Sequence, residues 1–209
     1  MKFKLLFSYR FLLFILSVLG VYLQLTKHGG FGMMLYYTIL SNMLVMFFMG
    51  DMVWRMLRAR STQTQGYLRL KGAVTMAIMI TFVIYHFMLA PLATPEKFYR
   101  LENFLCHYIV PLMFFFDTLV IDKAKQYRKL DPFLWTLIPL AYMLFALLNG
   151  LVLKWPIPGA KDSPFAYFFI NVNKYGWAFV GKWVVIIFIA YLLAGYVLYG
   201  IKNIKRKSA

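Results

Sequence analysis

The chain has little of what soluble catalysts and secreted folds are built from. Its single cysteine, Cys106, excludes an intrachain disulfide and a zinc knuckle. Three histidines, none at ligand spacing from another, and only seven acids argue against a metal site. No low-complexity segment, convincing internal repeat or soluble domain interrupts the sequence. The shortage of acid leaves a formal net charge of +16. In a soluble chain that balance suggests nucleic acid. Here the basic residues sit in the connections between apolar runs, so nucleic acid is not the expected partner.

What the chain does contain is apolar surface. Hydrophobic residues make up 62% of it and aromatics 20%, where a soluble domain is roughly half apolar. It reads as an all-α integral membrane protein, with residues 1–209 forming one six-helix bundle. The expected spans are 5–25, 31–54, 72–92, 102–121, 132–153 and 177–201, each close to the ~20 residues that cross a bilayer. Residues 1–10 look like the basic region of a signal peptide. The apolar run after them is long and lacks a small-residue cleavage site, so it reads as a retained first helix.

Sixteen of the 23 basic residues fall on one side of these spans and seven on the other. That bias, repeated at every connection, predicts both termini in the cytoplasm and a bacterial cytoplasmic membrane as the location. The basic tail 202–207 is expected to meet anionic headgroups. Pro139, inside the fifth span, has no N–H for the carbonyl of Trp135. The methionines of the second span are read as packing, with a wall that moulds to acyl chains as the alternative.

The polar residues inside the spans carry the chemistry. His107, Pro111 and Asp117 share the fourth span, where ionisable groups are costly and therefore functional or paired. Pro111 cannot donate to the carbonyl of His107, which loosens the helix there. Counted from the start of the second span, Thr38 is roughly 10 Å deep, and His107 is roughly 8 Å deep in the fourth. The two can lie level although 69 positions separate them. Ser41 and Asn42 share a helix face with Thr38, which implies a cavity or a polar helix partner. A threonine hydroxyl needs a base to become a nucleophile, and an imidazole can serve. Asp117 is about 15 Å further along the helix, too far to orient His107, and reads as a structural partner or proton site. Cys106 points away from its neighbour and reads as a small buried side chain. Asn42 and Tyr36 are candidate oxyanion donors. Ser41, His86, Lys182, Gln24 and Asn149 are candidates to line the same cavity.

Three motifs resemble a known family. Residues 37–42, Y-T-I-L-S-N, are similar to the aromatic-T-x-x-S-N signature of the bacterial Pr6Pr membrane proteins. His107 to Pro111, followed by Asp117, resembles their H-x-x-x-P…D signature. Residues 163–168 and 171–176 resemble the Pro- and aromatic-rich loop before their last helix. Two positions depart: Asn171 stands where the family has Asp, and Thr118 where an aromatic often follows the aspartate. The group belongs with the androgen-induced membrane proteins of animals. The resemblance implies an intramembrane threonine hydrolase, with Thr38 as nucleophile and His107 as base. The implied substrates are fatty acid esters of hydroxy fatty acids, and no cofactor is needed. Other classes compatible with the sequence are a lipid or proton-linked transporter, a scaffold protein and an acyltransferase.

Overall fold

The structure is a computed structural model that describes residues 3–160 and 163–203. Six helices are long and apolar enough to cross a membrane: α1 (Phe3–His28), α2 (Tyr37–Leu57), α3 (Gln65–Leu92), α4 (Leu101–Ile121), α5 (Asp131–Leu153) and α6 (Val172–Asn203). Among the described residues there is no strand. The chain is an all-α integral membrane protein, a six-helix bundle. The start of α1, the α2–α3 and α4–α5 connections and the end of α6 share one end, here the basic end. The other three connections form the far end. Lys2, Lys161, Lys205, Arg206 and Lys207 of the charge count lie outside the described residues.

The core is built by α1 to α4. Leu13, Val45, Met49, Met52, Ile78, Val110 and Phe114 pack in one buried cluster, so the methionine-rich face of α2 serves packing. Gly20 of α1 allows a close approach to α4: a Cβ there would sit 3.1 Å from Cys106 Sγ. Helices α5 and α6 are mostly exposed to the surroundings. They are joined by a hydrogen bond from Tyr191 to the carbonyl of Trp135, 3.1 Å, the carbonyl that Pro139 leaves without its usual donor.

Two helix starts differ from the sequence reading. The second span begins at Tyr37, six residues later than expected, because Gly30–Leu35 forms a 3-10 turn. Glycine is costly in helices, and here Pro158 lies over the bare backbone: Cβ atoms on Gly29 and Gly32 would meet its ring at 2.5 and 2.8 Å. Thr38 is therefore the second residue of α2, at its far-end tip, rather than seven residues inside. The third span begins at Gln65, seven residues earlier than expected. Arg69 pairs with Asp131 at 2.6 Å, and Gly72 is covered by Trp135 and Tyr127. In α6 the first turn breaks from the rest at Gly176, φ 78°, so the continuous helix starts at Trp177 as expected.

The largest correction concerns charge. Arg10 and Lys71, counted with the cytoplasmic-side charges, and Lys202, expected at the headgroups, are all three buried. Arg10 donates to both oxygens of Asp117, at 2.9 and 3.1 Å. Lys71 bridges Asp117 and Asp122. Lys202 donates to the carbonyls of Thr118 and Asp122, at 2.9 and 2.7 Å. This network binds α1, α3, α4 and α6 at the basic end and accounts for Asp117. Buried charge is tolerated only when paired and hydrogen-bonded. At the far end, Glu102 of α4 pairs with His28 and Lys27 of α1, at 2.9 and 3.3 Å.

Candidate active site

Thr38 and His107 meet at the far end. Thr38 Oγ1 stands 3.3 Å from His107 Nε2. The α4 turn carrying His107, Leu105–Ile109, is a π-turn, in which the Val110 N–H reaches back to the carbonyl of Leu105. Pro111 follows at once, consistent with the loosened helix. Turns of this kind are frequent at functional sites.

The orienting group for His107 is a backbone carbonyl. His107 Nδ1 is 3.0 Å from the carbonyl oxygen of Asn103. A carbonyl only accepts, so Nδ1 carries the proton. In the neutral ring, Nε2 is then the acceptor, and the Thr38 hydroxyl donates to it. The imidazole also stacks on Tyr85 of α3, with centroids 3.8 Å apart. The side-chain amide of Asn103 donates to the Tyr85 hydroxyl at 2.6 Å and to the Phe98 carbonyl at 2.8 Å. One asparagine thus braces both rings.

Of the two roles open to Ser41 and Asn42, lining a cavity or partnering a helix, the structure gives the second. Ser41 donates to the Thr38 carbonyl and exchanges a 2.7 Å hydrogen bond with Thr81 of α3. Asn42 gives its amide hydrogens to the carbonyls of Thr38, at 2.8 Å, and Cys106, at 3.0 Å. They are polar helix partners that fix the Thr38 turn, and Asn42 has no hydrogen left for an oxyanion. Tyr36 is also committed, donating to the Pro158 carbonyl at 2.7 Å. His86 is exposed and bonds Tyr108 at 3.2 Å, because it lies on the outer side of α3. Lys182 is exposed on α6. Neither lines the cavity beside Thr38.

The residue that sequence reasoning did not single out is Tyr167. Its hydroxyl accepts from the Thr38 backbone N–H at 3.3 Å and lies 3.5 Å from Thr38 Oγ1. Burial raises its phenol above the ordinary tyrosine value, so it is protonated at neutral pH and able to donate. It comes from the connection 154–171. Asn149 pins that segment through the backbone of Trp155 and Pro164, which is its role in place of lining the cavity. Phe165 lies directly against Gly150, where a Cβ would fall 2.1 Å from the ring.

Beside Thr38 opens a cavity of about 110 Å³, walled mainly by apolar residues of α3, α5 and α6, among them Ile80, Ile84, Leu140, Met143, Ile187 and Phe188. On α3 the lining runs from Leu89 to Ile80, roughly 14 Å by helix rise. Thr38 and Tyr167 thus stand together in the wall of a mostly apolar crevice. No family model, curated protein or solved structure matches the chain.

Proposed function

We propose that this protein is an intramembrane hydrolase of lipid esters, with Thr38 as nucleophile and His107 as general base. The observation that carries the reading is the pairing of Thr38 Oγ1 with His107 Nε2, the ring being fixed from behind by the Asn103 carbonyl. A hydroxyl, a base within reach and a third group orienting the base are the parts of a covalent hydrolase. Contacts of 3.3 Å tighten when substrate binds. The resemblance to the Pr6Pr group supports the same two residues and suggests fatty acid esters of hydroxy fatty acids as substrates.

The chemistry proceeds in two halves. His107 Nε2 takes the Thr38 proton as Oγ1 bonds to the ester carbonyl carbon, and the carbonyl electron pair moves onto oxygen. Collapse of that intermediate breaks the bond to the alkoxy oxygen, which takes the proton back from His107. Water, deprotonated by His107, then attacks the acyl-threonine and releases the acid and Thr38. No cofactor enters either half.

With the buried Arg10, Lys71 and Lys202 set aside, nine basic residues among the described ones still mark the basic end against six at the far end. That bias supports a basic end in the cytoplasm and a site in the outer leaflet of a bacterial cytoplasmic membrane. The test is turnover of defined ester lipids by purified protein in detergent. Wild type releases free fatty acid, whereas well-folded Thr38→Ala and His107→Ala do not. Equal release by all three rules the pair out.

A further inference from the structure

We infer that Tyr167 is a catalytic residue of this site: its hydroxyl is the oxyanion donor, and residues 163–171, pinned by Asn149 and Gly150, are the strap that holds it there. The inference rests on the threonine–histidine reading above. That mechanism places negative charge on the carbonyl oxygen, and a donor set in advance is the largest single contribution to most acyl transfers. The side chains expected to supply it are engaged elsewhere. Asn42 has both amide hydrogens on backbone carbonyls, and Tyr36 gives its hydroxyl to Pro158.

Tyr167 meets the geometric requirement. Its oxygen lies 3.5 Å from the attacking Oγ1, so an oxygen carried on the carbon attached to Oγ1 falls within its reach. The hydroxyl already accepts the Thr38 N–H, which leaves its own hydrogen to give. The ring is 9% exposed and is held edge-on by Tyr36 and face-on by Phe169, with centroids at 5.9 and 5.2 Å. Tyr167 also lines two spaces at once. One is the apolar crevice of α3, α5 and α6. The other is a more polar hollow at the far end, lined by Ser163, Asn171 and Lys174. A tetrahedral carbon between Thr38 and Tyr167 therefore has its apolar acyl chain directed into the crevice and its leaving alcohol toward the polar hollow.

The stabilisation needs no added reactant. The Tyr167 O–H donates a hydrogen bond as charge grows on the carbonyl oxygen and withdraws it when the carbonyl re-forms. The experiment measures steady-state hydrolysis of a medium-chain ester by wild type, Thr38→Ala and Tyr167→Phe, with thermal unfolding followed alongside. Tyr167→Phe is expected to lower kcat by about 10²- to 10³-fold with KM within about threefold and an unchanged unfolding midpoint. A kcat within about threefold of wild type, while Thr38→Ala is inactive, overturns the role of Tyr167 and leaves the pair standing. Absence of any Thr38-dependent turnover in wild type overturns both. If Tyr167→Phe fails to fold, fluorotyrosine at position 167 keeps ring and hydroxyl but makes the phenol more acidic. A kcat that moves with phenol acidity supports the donor role, and an unmoved kcat overturns it.

Discussion

His107 is held between two groups of opposite demand: the carbonyl of Asn103, 3.0 Å from Nδ1, and the hydroxyl of Thr38, 3.3 Å from Nε2. The first fixes the proton on Nδ1, and the second meets the lone pair this leaves on Nε2. His107→Gln retains a polar side chain but cannot act as a base. It should lower ester turnover by about 10²- to 10⁴-fold and leave thermal unfolding close to wild type. Thr38→Ser keeps the hydroxyl and should keep measurable turnover, whereas Thr38→Ala should not.

Asn103 supports the base through both its backbone and its side chain. Asn103→Ala keeps the carbonyl that orients His107 but removes the donor to Tyr85 and Phe98. Loss of buried hydrogen bonds should destabilise the protein by about 1–3 kcal/mol. Turnover should fall because the Tyr85 ring that backs the imidazole loses its anchor. Paired unfolding and kinetic measurements check both parts.

At the basic end, Asp117 answers two buried cations, Arg10 and Lys71. Asp117→Ala leaves Arg10 and Lys71 to share Asp122 alone, and breaking a buried pair from one side costs about 3–5 kcal/mol. The expected result is a sharply lowered unfolding midpoint in detergent. A loss of ester turnover without loss of stability would place Asp117 in the chemistry instead.

Gly150→Ala tests the strap. Its new Cβ would fall 2.1 Å from the Phe165 ring, so Phe165 has to shift, two residues from Tyr167. Overpacking of this kind costs about 1–3 kcal/mol. Displacement of Tyr167 from Thr38 should reduce turnover by more than that loss of stability explains. Kinetics at a temperature where the variant is fully folded separates the two effects.

The crevice should act as a ruler. Ile80 is the α3 lining residue nearest the basic end. Ile80→Phe is expected to shorten the space and raise KM for long-chain esters while leaving short-chain esters near wild type. A chain-length series on the two proteins measures it.

The six spans were legible in the sequence because hydropathy and length decide which segments can enter a bilayer. Thr38 and His107 can be singled out from motif and level, although Thr38 sits at the tip of α2 and not inside it, because the turn holding Gly29, Gly30 and Gly32 delays the start of that helix. The buried roles of Arg10, Lys71 and Lys202 were not legible. A lysine at a span end looks the same whether it meets headgroups or an aspartate. The available signal was the placement of Asp117 and Asp122 near the same end, in a chain with few acids. Tyr167 was hidden for another reason. It is one of 15 tyrosines, and its position depends on a connection held by Asn149, Gly150 and Pro158, contacts that exist only after folding. Asn103 was missed because its link to His107 is a backbone carbonyl, which carries no residue signature.

The Thr38–His107 pair is tested most directly by the site of covalent modification by an active-site-directed fluorophosphonate on purified, folded protein, mapped by peptide mass spectrometry. One adduct is expected, on Thr38, absent from Thr38→Ala and strongly reduced in His107→Ala. An adduct on another residue, or an unlabelled and stable wild-type protein that also leaves lipid esters intact, would contradict it.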